Sequence, residues 1–158
     1  MDQRERGVLT LLLLAMLVAM PFGAMASAEG TQDLHVSLEV GTLDRPWLVD
    51  GEVLSLSAAL VNPTGETVET ETDPSCGLVL SVYDVSGSLV LDGTLACRGQ
   101  ERALSLAPGE EALSASFSVS ASQLGLSTGT YELRVLHPNT GASSSTFVDV
   151  QRDVEWPD

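Results

Sequence analysis

The chain has no lysine, and its basic residues are seven arginines set against 22 acidic residues. The formal net charge is therefore −15 at pH 7. Nucleic acids and anionic membrane surfaces are poor partners for such a surface, because binding them relies on Lys and Arg side chains that neutralise phosphates. The acidic residues are scattered, which is typical of a soluble, self-repelling surface. A saline habitat, where salt screens the repulsion, is the alternative.

The chain also lacks the short motifs of common enzyme classes. It contains no G-x-S-x-G, H-E-x-x-H, P-loop or dinucleotide-binding sequence. His35 alternates onto the outward face of a predicted strand, and His137 precedes Pro138 at a strand end, so both are predicted to be solvated. We therefore predict a protein that is not an enzyme, with no catalytic residue, no cofactor and no metal.

A calcium ion is the one metal that the acidic residues suggest as an alternative. Asp50-Gly51-Glu52 and Glu69-x-Glu71-x-Asp73 could each supply oxygen ligands, although the D-x-D-x-D-G pattern of calcium loops is absent. A simpler interpretation is that the glutamates at positions 66, 69 and 71 keep an exposed edge strand from pairing with other chains.

Only one long apolar run is present, from Val8 to Met20, after a short polar start that carries two arginines. Pro21 and a small-residue stretch with two A-x-A sites follow, which is typical of a signal peptide. The run of about 13 residues is shorter than the roughly 20 of a spanning helix. We predict a signal peptide at 1–28, cleaved before Ser27 or Glu29. An uncleaved N-terminal anchor is the alternative, and in both cases the remainder is secreted or extracytoplasmic.

The chain has only two cysteines, Cys76 and Cys97. In an oxidising compartment such a pair is predicted to form a disulfide. Closing a loop of about 22 residues would stabilise the fold by roughly 3 kcal/mol. A zinc site is disfavoured because the histidines are distant from the cysteines, and a nucleophilic cysteine is disfavoured because no histidine lies near to activate it.

Strict alternation of apolar and polar residues predicts strands along most of the chain. It places Leu34, Val36, Leu38 and Val40 on one face of a strand, Leu54, Leu56, Ala58 and Leu60 on the next, and Leu113, Ala115, Phe117 and Val119 on a later one. Turn signals separate these runs at Asn62–Gly65, Asp84–Gly87, Pro108-Gly109, Ser127–Gly129 and Asn139–Gly141. The pattern predicts an all-β, immunoglobulin-like antiparallel sandwich of about seven to nine strands. This single domain would occupy residues 29–152, followed by a C-terminal tail at 153–158.

The order of the turn motifs resembles the intracellular proteinase inhibitor (BsuPI) family. In that family a strand ends in Asn-Pro, a later segment ends in Tyr-Asp-x-x-Gly, and Leu-x-Pro-Gly-Glu and Pro-Gly-Thr-Tyr follow. The matching residues here are Asn62, Pro63, Tyr83, Asp84, Gly87, Leu106, Pro108, Gly109, Glu110, Gly129, Thr130 and Tyr131. Tyr131 also suggests a tyrosine corner, with a half-buried strand aromatic as the alternative.

The resemblance implies a protein-binding module that acts on subtilisin-type serine proteases. The family's prototype acts inside the cell, so this chain, with its predicted signal peptide, would be an exported variant. Where the family carries tryptophan-rich sequence, this chain has "SLVLDGTLACRGQ" without an aromatic residue. For a protease partner we expect contact through the loop Gly93–Arg102, with Arg98 and Arg102 as contact residues. The alternative for Arg98 is a solvated arginine in a connecting loop. The alternative is a structural or adhesive immunoglobulin-like module at the cell surface. Trp156 in the tail is either a docking residue or a tryptophan packed on a sheet edge.

Overall fold

The computed structural model of the protein describes residues 33–152. The predicted signal peptide and the tail with Trp156 lie outside the described residues. The strands are β1 (His35–Val40), β2 (Trp47–Leu48), β3 (Leu54–Val61), β4 (Val68–Thr72), β5 (Val79–Asp84), β6 (Leu89–Leu91), β7 (Arg102–Leu106), β8 (Glu111–Val119), β9 (Gly129–Leu136) and β10 (Ser143–Val150). A short 3-10 helix (Gly93–Ala96) lies between β6 and β7. Within 33–152 no helix is long and apolar enough to cross a membrane.

Two sheets form the body of the domain. One has three strands in the order β1-β3-β8, and the other has five in the order β2-β10-β9-β5-β6. A separate two-stranded ladder joins β4 to β7. All pairings are antiparallel except the short one between β2 and β10. The predicted all-β sandwich is confirmed. The structure has ten strands where about seven to nine were predicted. The difference arises because β2 and β6 are too short to show an alternation in the sequence.

The core lies between the two larger sheets, and the alternation of β3 is as predicted. Leu54, Leu56 and Leu60 are buried and pack with leucines and valines of β5, β9 and β10. In β1 the alternation holds only at the start of the strand. Leu34 and Val36 are buried, but Val40 is 44% exposed. β1 is the edge strand of its sheet, and Val40 is the last residue of β1. Val40 therefore lies beyond the core.

A bulge interrupts β8. The β3 partner of Ala115 is Ala58, but the partner of Ala112 is Leu60, so one extra residue is accommodated between them. Leu113 lies in this irregular stretch and has a φ of 55°, a left-handed conformation that non-glycine residues rarely adopt. Despite the bulge, Leu113 is half-buried and packs against the core, as the alternation predicts.

Candidate protein-binding site

A disulfide anchors the loop that the sequence singled out. The Sγ atoms of Cys76 and Cys97 are 2.04 Å apart, and the Cα atoms are 4.9 Å apart. The predicted bond is confirmed. It joins the turn that precedes β5 to the residue that follows the 3-10 helix. A disulfide is consistent with an extracytoplasmic location, because such bonds persist in oxidising compartments.

The buried carboxylate of Asp73 holds the same loop from inside. Its Oδ2 accepts hydrogen bonds from the backbone N–H groups of Arg98 (2.8 Å), Gly99 (2.7 Å) and Gln100 (3.3 Å). Its Oδ1 accepts the hydroxyl and the backbone N–H of Ser75. The hydroxyl of Ser75, followed by these backbone donors, holds the pKa of Asp73 well below its ordinary value. The ionised carboxylate therefore fixes the conformation of residues 98–100.

Sequence reasoning considered Asp73 only as a possible calcium ligand and missed this contact. The signal was present, since Asp73 lies two residues before a serine, as in turns where the side chain caps the backbone, and Cys97 directly precedes Arg98. Within residues 33–152 no group of three or more His, Cys, Asp and Glu side chains is arranged to hold a metal ion.

The two histidines have opposite environments. His35 is exposed, as predicted, but the prediction for His137 is wrong because the residue is completely buried. Its Nδ1 lies 2.8 Å from the hydroxyl oxygen of Thr140, and its Nε2 lies 3.2 Å from that of Thr72. Burial lowers the pKa of His137, so the ring is neutral at pH 7. A side chain enclosed in this way has no contact with solvent through which a substrate could reach it.

Asn139, in the turn after β9, extends the same buried polar cluster to the disulfide loop. Its Oδ1 accepts the backbone N–H of Asp73 at 3.1 Å, and its Nδ2 donates to Glu101 at 3.0 Å. These contacts join the β9–β10 turn to the loop held by Asp73. The hydrogen bonds of His137 and Asn139 thus stabilise one end of the sandwich.

Asn62, one of the residues that carry the family resemblance, links two turns. It is completely buried, and its Nδ2 donates to the carbonyl oxygens of Glu66 (2.7 Å) and Leu106 (2.9 Å). Its Oδ1 accepts the backbone N–H of Thr64 at 3.0 Å, and its own carbonyl accepts the N–H of Gly109 at 2.8 Å. The turn after β3 is thereby fastened to the turn before β8.

The other motif residues also occupy turns or strand ends. Asp84 accepts the backbone N–H groups of Ser86 (2.8 Å) and Ser88 (2.9 Å) around Gly87, whose φ is 80°. The Tyr131 hydroxyl donates to the carbonyl oxygen of Ser127 at 3.0 Å, which confirms the tyrosine corner.

Around the turn before β8, Pro108 is exposed, Gly109 has a φ of 73°, Glu110 accepts the backbone N–H of Ala107, and Leu106 is buried. Pro63 is exposed in the turn after β3, and the ring of Tyr83 lies under the guanidinium group of Arg134. Gly129 begins β9, and the hydroxyl of Thr130 donates to Asp149. The residues behind the resemblance thus stabilise turns and strand ends.

An open groove of about 700 Å³ lies between β8 and the first half of β5. Seventeen residues line it, and none of them carries a charge. Its larger apolar side chains are Leu78, Leu80, Leu91, Leu113, Phe117 and Leu124. A neutral, largely apolar lining stands out in a chain with a net charge of −15.

Exposed aliphatic side chains are concentrated in β6 and in the segments on either side of it. Five of the eight large hydrophobic residues that are exposed in the described range lie between positions 85 and 95. We name Val85, Leu89, Val90, Leu91 and Leu95 the apolar rim. Leu91 belongs to both the rim and the groove. The sequence analysis did not predict the rim, because it considered aromatic residues as binding anchors. The aliphatic run "SLVLDGTLA" is the signal in the sequence.

Arg98 and Arg102 are both exposed. Arg98 follows the bridged Cys97, and its backbone is held by Asp73, while its side chain forms no ion pair with any described residue. Ala96, two residues before it, lines the groove. Arg102 begins β7, at the far end of the loop.

No family model matches the chain, and no curated protein matches it. Among solved structures, the C-terminal domain of wzt is similar with 14% identity and a TM-score of 0.50, over 80% of this chain and 78% of that one. The CARDB domain of the PF1109 protein from Pyrococcus furiosus is similar with 17% identity and a TM-score of 0.41, over 75% and 88% of the two chains. A β-glucosidase from Listeria innocua matches with 16% identity and a TM-score of 0.41, and the match covers 74% of this chain but only 16% of the enzyme.

Similarity to solved structures at such low sequence identity shows the fold of this chain and nothing about its function. The described chain is an immunoglobulin-like β-sandwich module with one internal disulfide.

Proposed function

We propose that the protein is a non-enzymatic, exported protein-binding module, and that its binding surface is the apolar rim with the adjoining groove. The observation that carries this proposal is the concentration of exposed aliphatic side chains between positions 85 and 95. Large exposed apolar areas mark interaction sites in soluble proteins. Fully burying one valine or leucine contributes about 1.5–3 kcal/mol, so covering Val85 (81% exposed) and Leu95 (82% exposed) is a substantial gain.

The fixed loop beside the rim supports a partner of the kind that the family resemblance implies, an exported serine protease of the subtilisin type. The disulfide and Asp73 both hold residues 97–100 in one conformation. A loop that is already ordered loses less entropy on binding. Arg98 then extends from a rigid backbone next to the rim, and Arg102 lies at the end of the same loop.

A structural or adhesive module is the second candidate. It is favoured by the composition of the rim, because all five of its residues are aliphatic. Binding hot spots are enriched in Trp, Tyr and Arg, and only the arginines of the neighbouring loop provide such anchors here.

The rim is tested by introducing a charge where the side chain is already exposed. Leu95→Asp and Val85→Asp each place a carboxylate in the rim, and Val53→Asp is the matched control because Val53 is 52% exposed outside it. Partners are recovered from the native exported fraction, and their affinities for the purified variants are measured. We expect each rim variant to bind at least about tenfold more weakly than wild type, and the control to bind normally. Equal binding by all variants would remove the rim from the interface.

Protease inhibition is tested by titrating secreted subtilisin-type and trypsin-like proteases with the wild type, Arg98→Ala, Arg102→Ala and Arg45→Ala. Arg45 is the charge-matched control, since it pairs with Glu52 away from the loop. We expect inhibition that Arg98→Ala weakens and Arg45→Ala leaves unchanged. Inhibition that is undiminished in Arg98→Ala would show that the protein is an inhibitor but that Arg98 is not a contact residue. Full protease activity at micromolar domain, with no partner recovered, would favour the structural module.

A further inference from the structure

One long edge of the sandwich has no partner strand within residues 33–152. β8 pairs with β3 on one side, and it ends its sheet on the other. Edge strands in soluble proteins are normally protected by charges, prolines, bulges or short length. β4 fits that rule, since Glu69 and Glu71 are exposed on it.

The part of β8 beyond its bulge has no such protection. From Ser114 to Val119 the sequence is "SASFSV", with neither a charge nor a proline. The backbone N–H and C=O groups on the outer side of this stretch are therefore available to an added strand.

The groove lies directly beside this edge and is lined by the same strand. Ser114, Ser116 and Ser118 are exposed and alternate with Ala115 and Phe117, which pack against the core. The side chains of an added strand would alternate in the same way. One set would enter the groove, and the other would continue the row of serines.

Lining residues near the two ends of β8 indicate how much of this edge lies beside the groove. Near the bulge, Leu113 reaches across to Gly77, where a Cβ atom would lie 3.3 Å from Cδ2 of Leu113. Beyond the other end of β8, Leu124 lines the groove. The five to six residues of β8 between these points correspond to about 17–20 Å of extended chain.

We infer that the free edge of β8 receives, as an additional strand, an extended segment of a partner protein, about six residues long, whose groove-facing side chains are uncharged. This inference rests on the proposed protein-binding function and specifies its mode. The extended conformation is required by the hydrogen-bonding edge, and small or apolar side chains at alternate positions are required by the groove. The side chains that enter the groove are uncharged, because a charge placed in a lining without charged groups would be desolvated without a counter-ion.

The charges near this edge and the net charge of the chain further define the partner segment. Glu110 and Glu111 are exposed where β8 begins, so a basic residue just outside the segment at that end would be attracted. A second copy of this chain is disfavoured as the occupant, because each copy carries a net charge of −15.

The test uses a displayed library of eight random residues, selected on the immobilised exported protein. We expect enrichment of sequences with uncharged, apolar residues at alternate positions. The best peptide is then synthesised in two N-methylated forms, one with methyl groups on odd residues and one on even residues. Only one set of N–H groups in a strand faces β8. One form should therefore bind at least about tenfold more weakly than the parent, while the other stays within about twofold.

Hydrogen exchange and one pair of variants complete the test. Peptide binding should slow exchange of alternate amides between Ser114 and Val119. Phe117→Ala should weaken binding of the parent peptide, whereas Phe147→Ala, at a position 71% exposed and absent from the groove lining, should not. The melting temperature of each variant shows whether it is folded, and the two N-methylated peptides decide the question on the wild type alone.

Three results would overturn the inference. These are a library without enrichment, equal binding by both N-methylated peptides, and a dimer in solution whose β8 amides are protected without peptide. In the second case, loss of natural-partner binding in Leu95→Asp would still uphold the proposed function, so the two proposals fail separately.

Discussion

Removal of the disulfide should reduce stability without changing the native loop. The variant is Cys76→Ala with Cys97→Ser, because Cys76 is buried and a serine hydroxyl there would lack a partner, whereas Cys97 is partly exposed. The bridge spans a sequence separation of 21. A closed loop of about 22 residues restricts the unfolded chain by about 11 cal/mol/K, which corresponds to about 3 kcal/mol at 25 °C. Such a loss is a large part of the 5–15 kcal/mol typical of a domain.

The native loop should survive because Asp73 holds it independently. Three consecutive N–H groups, at positions 98 to 100, donate to its Oδ2, and none of these bonds involves a sulfur atom. Urea denaturation should therefore show a lower free energy of unfolding. Hydrogen exchange in native conditions should show amides 98–100 still protected.

The complementary variant is Asp73→Asn, which retains the bridge and removes the carboxylate. It should expose amides 98–100 to exchange while the disulfide remains intact, and Asp44→Asn, at an exposed position, should change neither. Loss of amide protection in the variant without the bridge would refute the independent role of Asp73. A stability change under about 1 kcal/mol in that variant would refute the entropic role of the bridge.

Three further substitutions test the buried polar contacts of Asn62, Tyr131 and His137. Asn62→Ala leaves several buried backbone groups without partners and should cost about 3 kcal/mol in urea denaturation, while Ser57→Ala should stay within about 0.5 kcal/mol; equal effects would contradict the role of Asn62. Tyr131→Phe removes the hydrogen bond to Ser127 and should lower the free energy of unfolding by about 1 kcal/mol, so an unchanged midpoint would argue against the tyrosine corner. The pKa of His137 is below 6.5 in the folded state, so the unfolded chain binds the proton first and the free energy of unfolding should fall as pH decreases below 6.5. His137→Phe should flatten that dependence, and a slope that persists in this variant would assign it to other groups.

The sequence by itself determined the class of fold and much of the local chemistry. Strict alternation in β3 is a property of neighbouring residues, so it correctly identified the buried leucines and the exposed serines between them. Turn signals such as Asp84–Gly87 also act locally, through side chains that bond to the backbone two to four residues away. The cysteine pairing was predictable because only two cysteines exist.

Only the tertiary structure decided which groups became buried and which edges stayed open. His137 was expected in solvent, but Thr72, which lies 65 positions away in the chain, meets its ring. The sequence suggested Asp73 only as a possible calcium ligand, but the fold places its carboxylate against the backbone N–H groups of residues 98–100. The groove beside β8 depends on which strand ends each sheet. Alternation states which residues share a face, but the pairing of distant strands decides what covers that face, and this information is not contained in any local stretch of sequence.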